Sequence, residues 1–193
     1  MYGSSKISIC NRALHLIGNG RGINSLDEAT AEARICSKFY DTALASLLAA
    51  HNWMFALCEG ECTEIASDTG FFFAYPNRCI KVRGVFDLAH KPIHFIVSMN
   101  KEGARIIRTK EQPFFYNYTV FTDEPPAYPA LFEEALCWLL ARHIAWGIGG
   151  IEAGVRDDVS KHYLIALEDA KVSDANESGS VRMNFESDYV SVR

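Results

Sequence analysis

The 193-residue chain contains no apolar run of about 18 or more residues, so no membrane-spanning helix is expected. Its opening residues, Met1-Tyr2-Gly3-Ser4-Ser5-Lys6, lack the charged-then-apolar plan of a secretion signal. The expected place of synthesis is therefore a cytosol. Cysteine is sparse and scattered: Cys10, Cys36, Cys58, Cys62, Cys79 and Cys137. Several of these sit among apolar neighbours, where a thiol behaves as a small hydrophobe, and no disulfide framework is expected.

Metal-ligand spacing is equally thin. Only Cys58-Glu59-Gly60-Glu61-Cys62 brings two cysteines near each other. With His51 and either Cys79 or His90 it makes a candidate zinc set. Structural zinc sites use tighter pairs, usually two of them. On a strand, residues 58 and 62 share a face and read as core. No metal and no cofactor are assigned.

Catalytic signatures are missing as well. Gly147-Ile148-Gly149-Gly150-Ile151-Glu152-Ala153-Gly154 is glycine-rich, but it follows a helical pattern. A dinucleotide loop must follow a strand and open a helix, so this segment reads as an interhelical turn. Gly18-Asn19-Gly20-Arg21-Gly22 fails the same test. His90 and His94 flank Pro92 and cannot share a helix face. Glu133/Glu134 and Asp157/Asp158 stand at helix starts, where a favourable dipole interaction of about 0.3–1 kcal/mol explains an acid without catalysis. No serine sits in an elbow motif and no Cys/His pair has a recognisable setting. The expectation is a chain that is not an enzyme.

Charge of one sign is concentrated rather than abundant. The net charge is −5. Residues 78–110 hold eight Lys/Arg against Asp87 and Glu102, a local balance of +6, which leaves −11 for the rest. A dedicated nucleic-acid binder carries a broader basic footprint. Lys81, Arg83, Arg105 and Arg108 are the candidate basic contact patch for an acidic partner; a solvated sheet face is the alternative.

What is present is periodicity. Ile7, Cys10, Leu14 and Ile17 recur at helical spacing and predict a helix over Ser5–Ile17, stopped by Gly18. Ser25-Leu26-Asp27-Glu28 reads as the capping box of a second helix running to about Ala50. That helix carries two adjacent apolar stripes, Ile35/Phe39/Ala43/Leu47 and Cys36/Tyr40/Leu44/Leu48. Two stripes predict two packing partners. From Asn52 the period changes to short runs rich in Val, Ile, Phe and Tyr: Trp53–Cys58, Phe71–Tyr75, Ile80–Leu88, Ile93–Val97, Ala104–Thr109 and Phe115–Phe121. They predict a small antiparallel sheet or barrel, and Gly84 breaks the alternation of its run as a bulge would.

Asp123–Pro129 is a strong breaker. A third helix follows to about Trp146, apolar nearly all round and hence buried in the fold or in an assembly. A fourth places Val155, Val159, Tyr163, Ala166 and Ala170 on one face. Residues 173–193 turn polar, yet Val181, Met183, Phe185 and Tyr189 fall on alternate positions. That row reads as a partner-binding strand for a neighbouring subunit or other protein, with a disordered terminus as the alternative. No internal repeat or low-complexity tract is present.

The first 56 residues carry a resemblance. Asn11-Arg12-Ala13-Leu14, Ile17-Gly18, Ile23-Asn24-Ser25-Leu26-Asp27-Glu28, Ala31, Ala33, Cys36, Tyr40, Leu47-Leu48 and His51-Asn52-Trp53-Met54-Phe55-Ala56 occur in that order. Phe73-Ala74-Tyr75-Pro76-Asn77-Arg78-Cys79-Ile80-Lys81-Val82 follows. Together they resemble the tail tubular protein A family, the head-to-tail adaptors (gatekeepers) of short-tailed phages. The resemblance implies an α+β fold: a four-helix bundle with an inserted small antiparallel β sub-domain and an extended C-terminal tail. The corresponding segments are 1–51 (two helices), 52–124 (β sub-domain), 125–175 (two helices) and 176–193 (tail).

It further implies a homo-oligomeric ring, commonly of twelve copies, at the head–tail junction of a virion. Portal protein would lie above it, tail nozzle or tail tube proteins below, and DNA would pass through its channel without sequence-specific contact. It implies no catalysis and no cofactor. A metal- or nucleic-acid-binding regulator using segment 78–110 with Cys58 and Cys62 is the other class of function the residues leave open.

Overall fold

Ser5 opens the first helix by exchanging hydrogen bonds with Ser8. The Ser8 amide donates to the Ser5 hydroxyl at 3.1 Å and the Ser5 amide donates to the Ser8 hydroxyl at 2.9 Å, satisfying two donors near the helix start. The computed structural model describes residues 4–65, 71–148 and 151–177. Among them are α1 (Lys6–Leu16), α2 (Ala31–Ala50), α3 (Ala130–Ile144) and α4 (Ala153–Glu177). Between α2 and α3 run β1 (Leu57–Glu61), β2 (Glu64–Ile65), β3 (Phe71–Ala74), β4 (Cys79–Phe86), β5 (Phe95–Met99), β6 (Arg105–Thr109) and β7 (Phe115–Val120). The fold is mixed α+β, four helices with two antiparallel sheets.

Helix α3 is the hub of the helical part and packs against α1, α2 and α4. Its all-round apolar surface follows from that position: Phe132, Leu136, Leu140 and Ile144 are buried together with residues from the other three helices. Both stripes of α2 face inward to different degrees. Cys36, Tyr40, Ala43, Leu44, Leu47 and Leu48 are buried, while Ile35 and Phe39 are half-buried at the margin.

The loop from α1 to α2 is held by one side chain. Asn11 accepts from the Ile23 amide at 2.7 Å and donates to the Ile23 carbonyl at 2.9 Å, so a single amide pins both polar groups of a buried loop residue. Gly18 closes α1 with φ +77°, a conformation costly for residues with a Cβ.

The box at Ser25–Glu28 forms but does not start α2. The Glu28 carboxylate accepts from the Asn24 and Ser25 amides, and the Ser25 hydroxyl accepts from the Asp27 amide. These bonds close a separate turn. The helix begins at Ala31 under Thr30, whose extended backbone places its hydroxyl 3.1 Å from the Ala33 amide.

The strands form two sheets, ordered β1-β7-β4 and β2-β3-β6-β5. Register shifts interrupt β4 between Val82 and Gly84, as the glycine predicts, and again between Cys79 and Lys81. A second core of Phe73, Val82, Val85, Ile93, Ile107 and Tyr116 lies between the sheets. Two sequence-based strand starts shift. Trp53 is an anchor rather than a strand residue: its indole donates to the Leu47 carbonyl at 2.7 Å and its ring meets Phe132 edge-on at 4.9 Å. A short turn, Met54–Ala56, follows before β1 starts. The fourth run begins at Phe95, because Ile93 leaves to bond Val85 of β4.

Arg83 joins the two parts. From β4 its guanidinium donates to Thr119 Oγ1 of β7 at 2.8 Å, to the Leu48 carbonyl at 3.1 Å, to the Ala49 carbonyl and to the His51 carbonyl. These carbonyls end α2, where the helix has no internal donors left. Asp174 of α4, itself buried, completes the joint: it accepts from the Met54 amide at 3.0 Å and pairs with the His51 imidazole at 3.2 Å.

Arg83→Met strips donors from the end of α2 and from Thr119. The expected loss is about 2–3 kcal/mol, read as a lower urea midpoint, with Arg83→Lys recovering only part because one ammonium cannot span the same acceptors. His143 offers a pH test. Its ring stacks on Phe39 at 5.7 Å, and burial, helped by the Arg142 charge, holds its pKa below the ordinary value. The fold therefore favours the neutral ring. Its stabilisation is complete above about pH 6.5 and is lost as acid protonates the unfolded chain first. Urea midpoints measured on either side of that pH should differ less in His143→Phe than in the parent chain.

Candidate functional site

The four basic candidates do not make a single patch. Lys81 is exposed on β4, but Arg83, two residues on, turns inward to the end of α2. Alternation along β6 sends Arg105 and Arg108 to opposite faces. The Arg105 guanidinium lies 3.9 Å over the Tyr75 ring and that of Arg108 lies 5.0 Å over Phe72. Segment 78–110 is basic in composition but divides its charge between a structural joint and separate sheet faces.

The candidate zinc residues are employed elsewhere. Cys58 lies within β1 opposite Tyr118, and the Cys62 amide donates to the Phe114 carbonyl at 2.9 Å. Burial pushes the Cys62 thiol up to about 11. His51 is paired with Asp174, and His90 stacks on Phe115 at 5.1 Å. Among the described residues no group of three or more His, Cys, Asp or Glu is placed to hold a metal. Val181, Met183, Phe185 and Tyr189, the expected partner-binding row, lie outside the described residues.

A concave site that sequence reading overlooked lies between α1, the loop after it and α3. It is a cleft of about 570 Å³ bordered by Arg12, His15, Asn19, Arg21, Glu134 and Trp138. Glycines in the loop read only as helix-ending punctuation. Their second consequence follows from the Asn11 clamp, which folds Gly20–Gly22 back over α1 as one wall. The opposite wall is the indole of Trp138, itself stacked on His162 at 4.7 Å. Two arginines and a histidine beside an aromatic wall suit an apolar side chain next to a carboxylate. Arg12 is also structural: it bonds Glu133 at 2.5 Å, with the arginine half exposed (50%) and the glutamate nearly covered (10%).

The other feature is convex. On α4, Leu164 (59% exposed), Ile165 (59%) and Val172 (60%) face outward. Leu164, Glu168 and Val172 follow one another at four-residue spacing, so they line up along the helix. At the far end of α3 the exposed Trp146 lies beneath the Arg156 guanidinium at 4.7 Å, and Arg156 also donates to the Ala145 carbonyl at 3.1 Å.

Removing either member of the Arg12–Glu133 pair leaves an unequal result. Arg12→Met strands a covered carboxylate and should lower stability by about 1–2 kcal/mol, discounted because the arginine is half in water. The double variant Arg12→Met/Glu133→Met should regain most of that loss. A double-mutant cycle on urea midpoints measures it, and additive losses would contradict the coupling.

No family model matches the chain, and no curated protein matches it.

Proposed function

We propose that the chain is a structural subunit of a bacteriophage virion: a protomer of the adaptor ring that joins the portal to the tail nozzle and forms part of the DNA channel. The observation that carries this reading is the outward row of α4. Leu164, Ile165 and Val172 stand in water on the longest helix of the described residues. An apolar row at helical spacing is covered when another subunit lies against it.

Glu168 stands within the row between Leu164 and Val172, and Lys161, Asp169 and Lys171 flank it, so both signs of charge are present to set the register of a like neighbour. The four helices, taken as one bundle, form the ring wall, and repeated head-to-tail contact closes the ring. Obligate interfaces of this kind bury about 2,000 Å² or more. The β part projects from the wall toward the tail. The row Val181, Met183, Phe185 and Tyr189 binds a neighbouring subunit or the portal.

The resemblance of residues 11–56 to phage adaptors points the same way, and the roles of those residues agree with it. Asn11 clamps a loop, Trp53 anchors the end of α2 and His51 pairs with Asp174. Each holds architecture rather than a reacting group. The local concentration of DNA in such a channel is handled by an acidic chain, whose net charge of −5 disfavours adhesion to phosphates.

Native mass and particle symmetry of the purified chain, alone and with portal protein, test the reading. A closed ring, alone or on the portal, is expected. Leu164→Glu/Val172→Glu should reduce it to monomers while the melting temperature of the monomer stays within a few degrees of the parent's, because both side chains face water in the fold. A parent chain that remains monomeric in the presence of portal would refute the proposal.

A further inference from the structure

The two sheets expose four edges, and three are blunted. The edge at β1 carries Glu59 and Glu61. The edge at β2 is two residues long. The edge at β4 is broken by two register shifts and partly covered where Pro92 and Ile93 bond Phe86 and Val85. Charge, brevity, bulges and cover are the usual means of keeping an edge from pairing.

The edge at β5 has none of them. Phe95-Ile96-Val97-Ser98-Met99 contains no charge, no proline and no register shift. Ile96 (59%) and Met99 (67%) are exposed, and among the described residues nothing pairs with the outer side.

Its hydrogen-bonding direction can be derived. The Asn100 amide donates to the Ala104 carbonyl, which makes 100/104 a hydrogen-bonded pair. In antiparallel register the bonded pairs then recur at Ser98/Ile106 and Ile96/Arg108. Phe95, Val97 and Met99 therefore turn their N–H and C=O groups outward. Beside this edge, on the Ile96 face, lies a second cleft of about 530 Å³ bordered by His94, Ile96, Arg108, Lys110 and Glu111.

We propose that the outer edge of β5 receives the segment 178–193 of this sequence as an added strand. Sixteen residues follow the end of α4 at Glu177, a length that holds a strand over residues 181–189 with a connection before it. Their pattern suits a strand with two unlike faces. In an extended strand Val181, Met183, Phe185 and Tyr189 would share one face and Arg182, Asn184, Glu186 and Asp188 the other. Placed against β5, the apolar row extends the surface of Phe95, Val97 and Met99. The polar row then carries Glu186 and Asp188 to the cleft side, where Arg108 and Lys110 supply the opposite charge. Main-chain bonds give such pairing its strength and alternate side chains its register.

The test uses the full chain and amide hydrogen exchange resolved to single residues. The Val97 and Met99 amides are informative because they have no acceptor within their own sheet. They should exchange at least about tenfold more slowly than free edge amides. In Met183→Asp/Phe185→Asp they should accelerate by a similar factor, while the Ile96 and Ser98 amides, bonded to β6, remain unchanged.

A second variant guards against loss of the segment's folding for other reasons. Val97→Pro removes one outward N–H and no bond to β6, a substitution edges tolerate, and should accelerate exchange at Met99. Fast exchange at Val97 and Met99 in the parent chain, or protection that survives Met183→Asp/Phe185→Asp, overturns the proposal. Native mass reads the ring and these two amides read the edge, so failure of one is distinguishable from failure of the other.

Discussion

The guanidinium of Arg83 is the interaction on which the shape of this protein depends. A helix ends with carbonyls that have no donors, and α2 ends at the boundary between a helical body and a pair of sheets. One side chain from β4 reaches those carbonyls and Thr119 of β7 together. Arginine suits the task because its donors fan out in a plane and its charge persists even though burial lowers its pKa. The sheets are thereby fixed to the helices by direction-specific bonds, where apolar contact alone would leave their orientation loosely set. Asp174 repeats the device from the other side, tying α4 to the same turn of chain through Met54 and His51.

Around that joint the molecule keeps two separate apolar cores. One belongs to the helices and is centred on α3; the other lies between the sheets. Ile80 and Phe121 extend from the β part to the helical core, so the seam is bridged by both packing and hydrogen bonds. The arrangement leaves the outside of α4 and the outer side of β5 as the principal apolar surfaces without cover among the described residues. In the proposed ring the two surfaces would serve differently: a helix face buries area against a like wall, while a strand edge demands alignment with the segment it receives.

Much of the helical part was legible from residue spacing. The α1 stripe, both α2 stripes and the all-round apolar α3 each follow from the 3.6-residue period, and the structure packs them as that period requires. Most strands were legible too, including the break at Gly84. The errors share a cause. Ser25–Glu28 has the residues of a capping box, and the bonds form, but identical bonds close a turn as well as a helix. Trp53 fits a strand by composition, yet its indole found a carbonyl at the end of α2. The cleft beside α1 was invisible because its wall depends on Asn11 reaching Ile23, twelve residues away.

Sequence by itself determined which stretches are helical or extended, which faces are apolar and where the charge is concentrated. All of these are local quantities, set by side-chain chemistry and the two backbone periods. Tertiary structure alone decided what the charges do. Arg83, Arg105 and Arg108 are equal in a count of cations, yet the first caps a helix while the other two lie over aromatic rings on opposite faces of one strand. That difference comes from strand register and from which carbonyls another element brings within about 3 Å, and no local pattern encodes either.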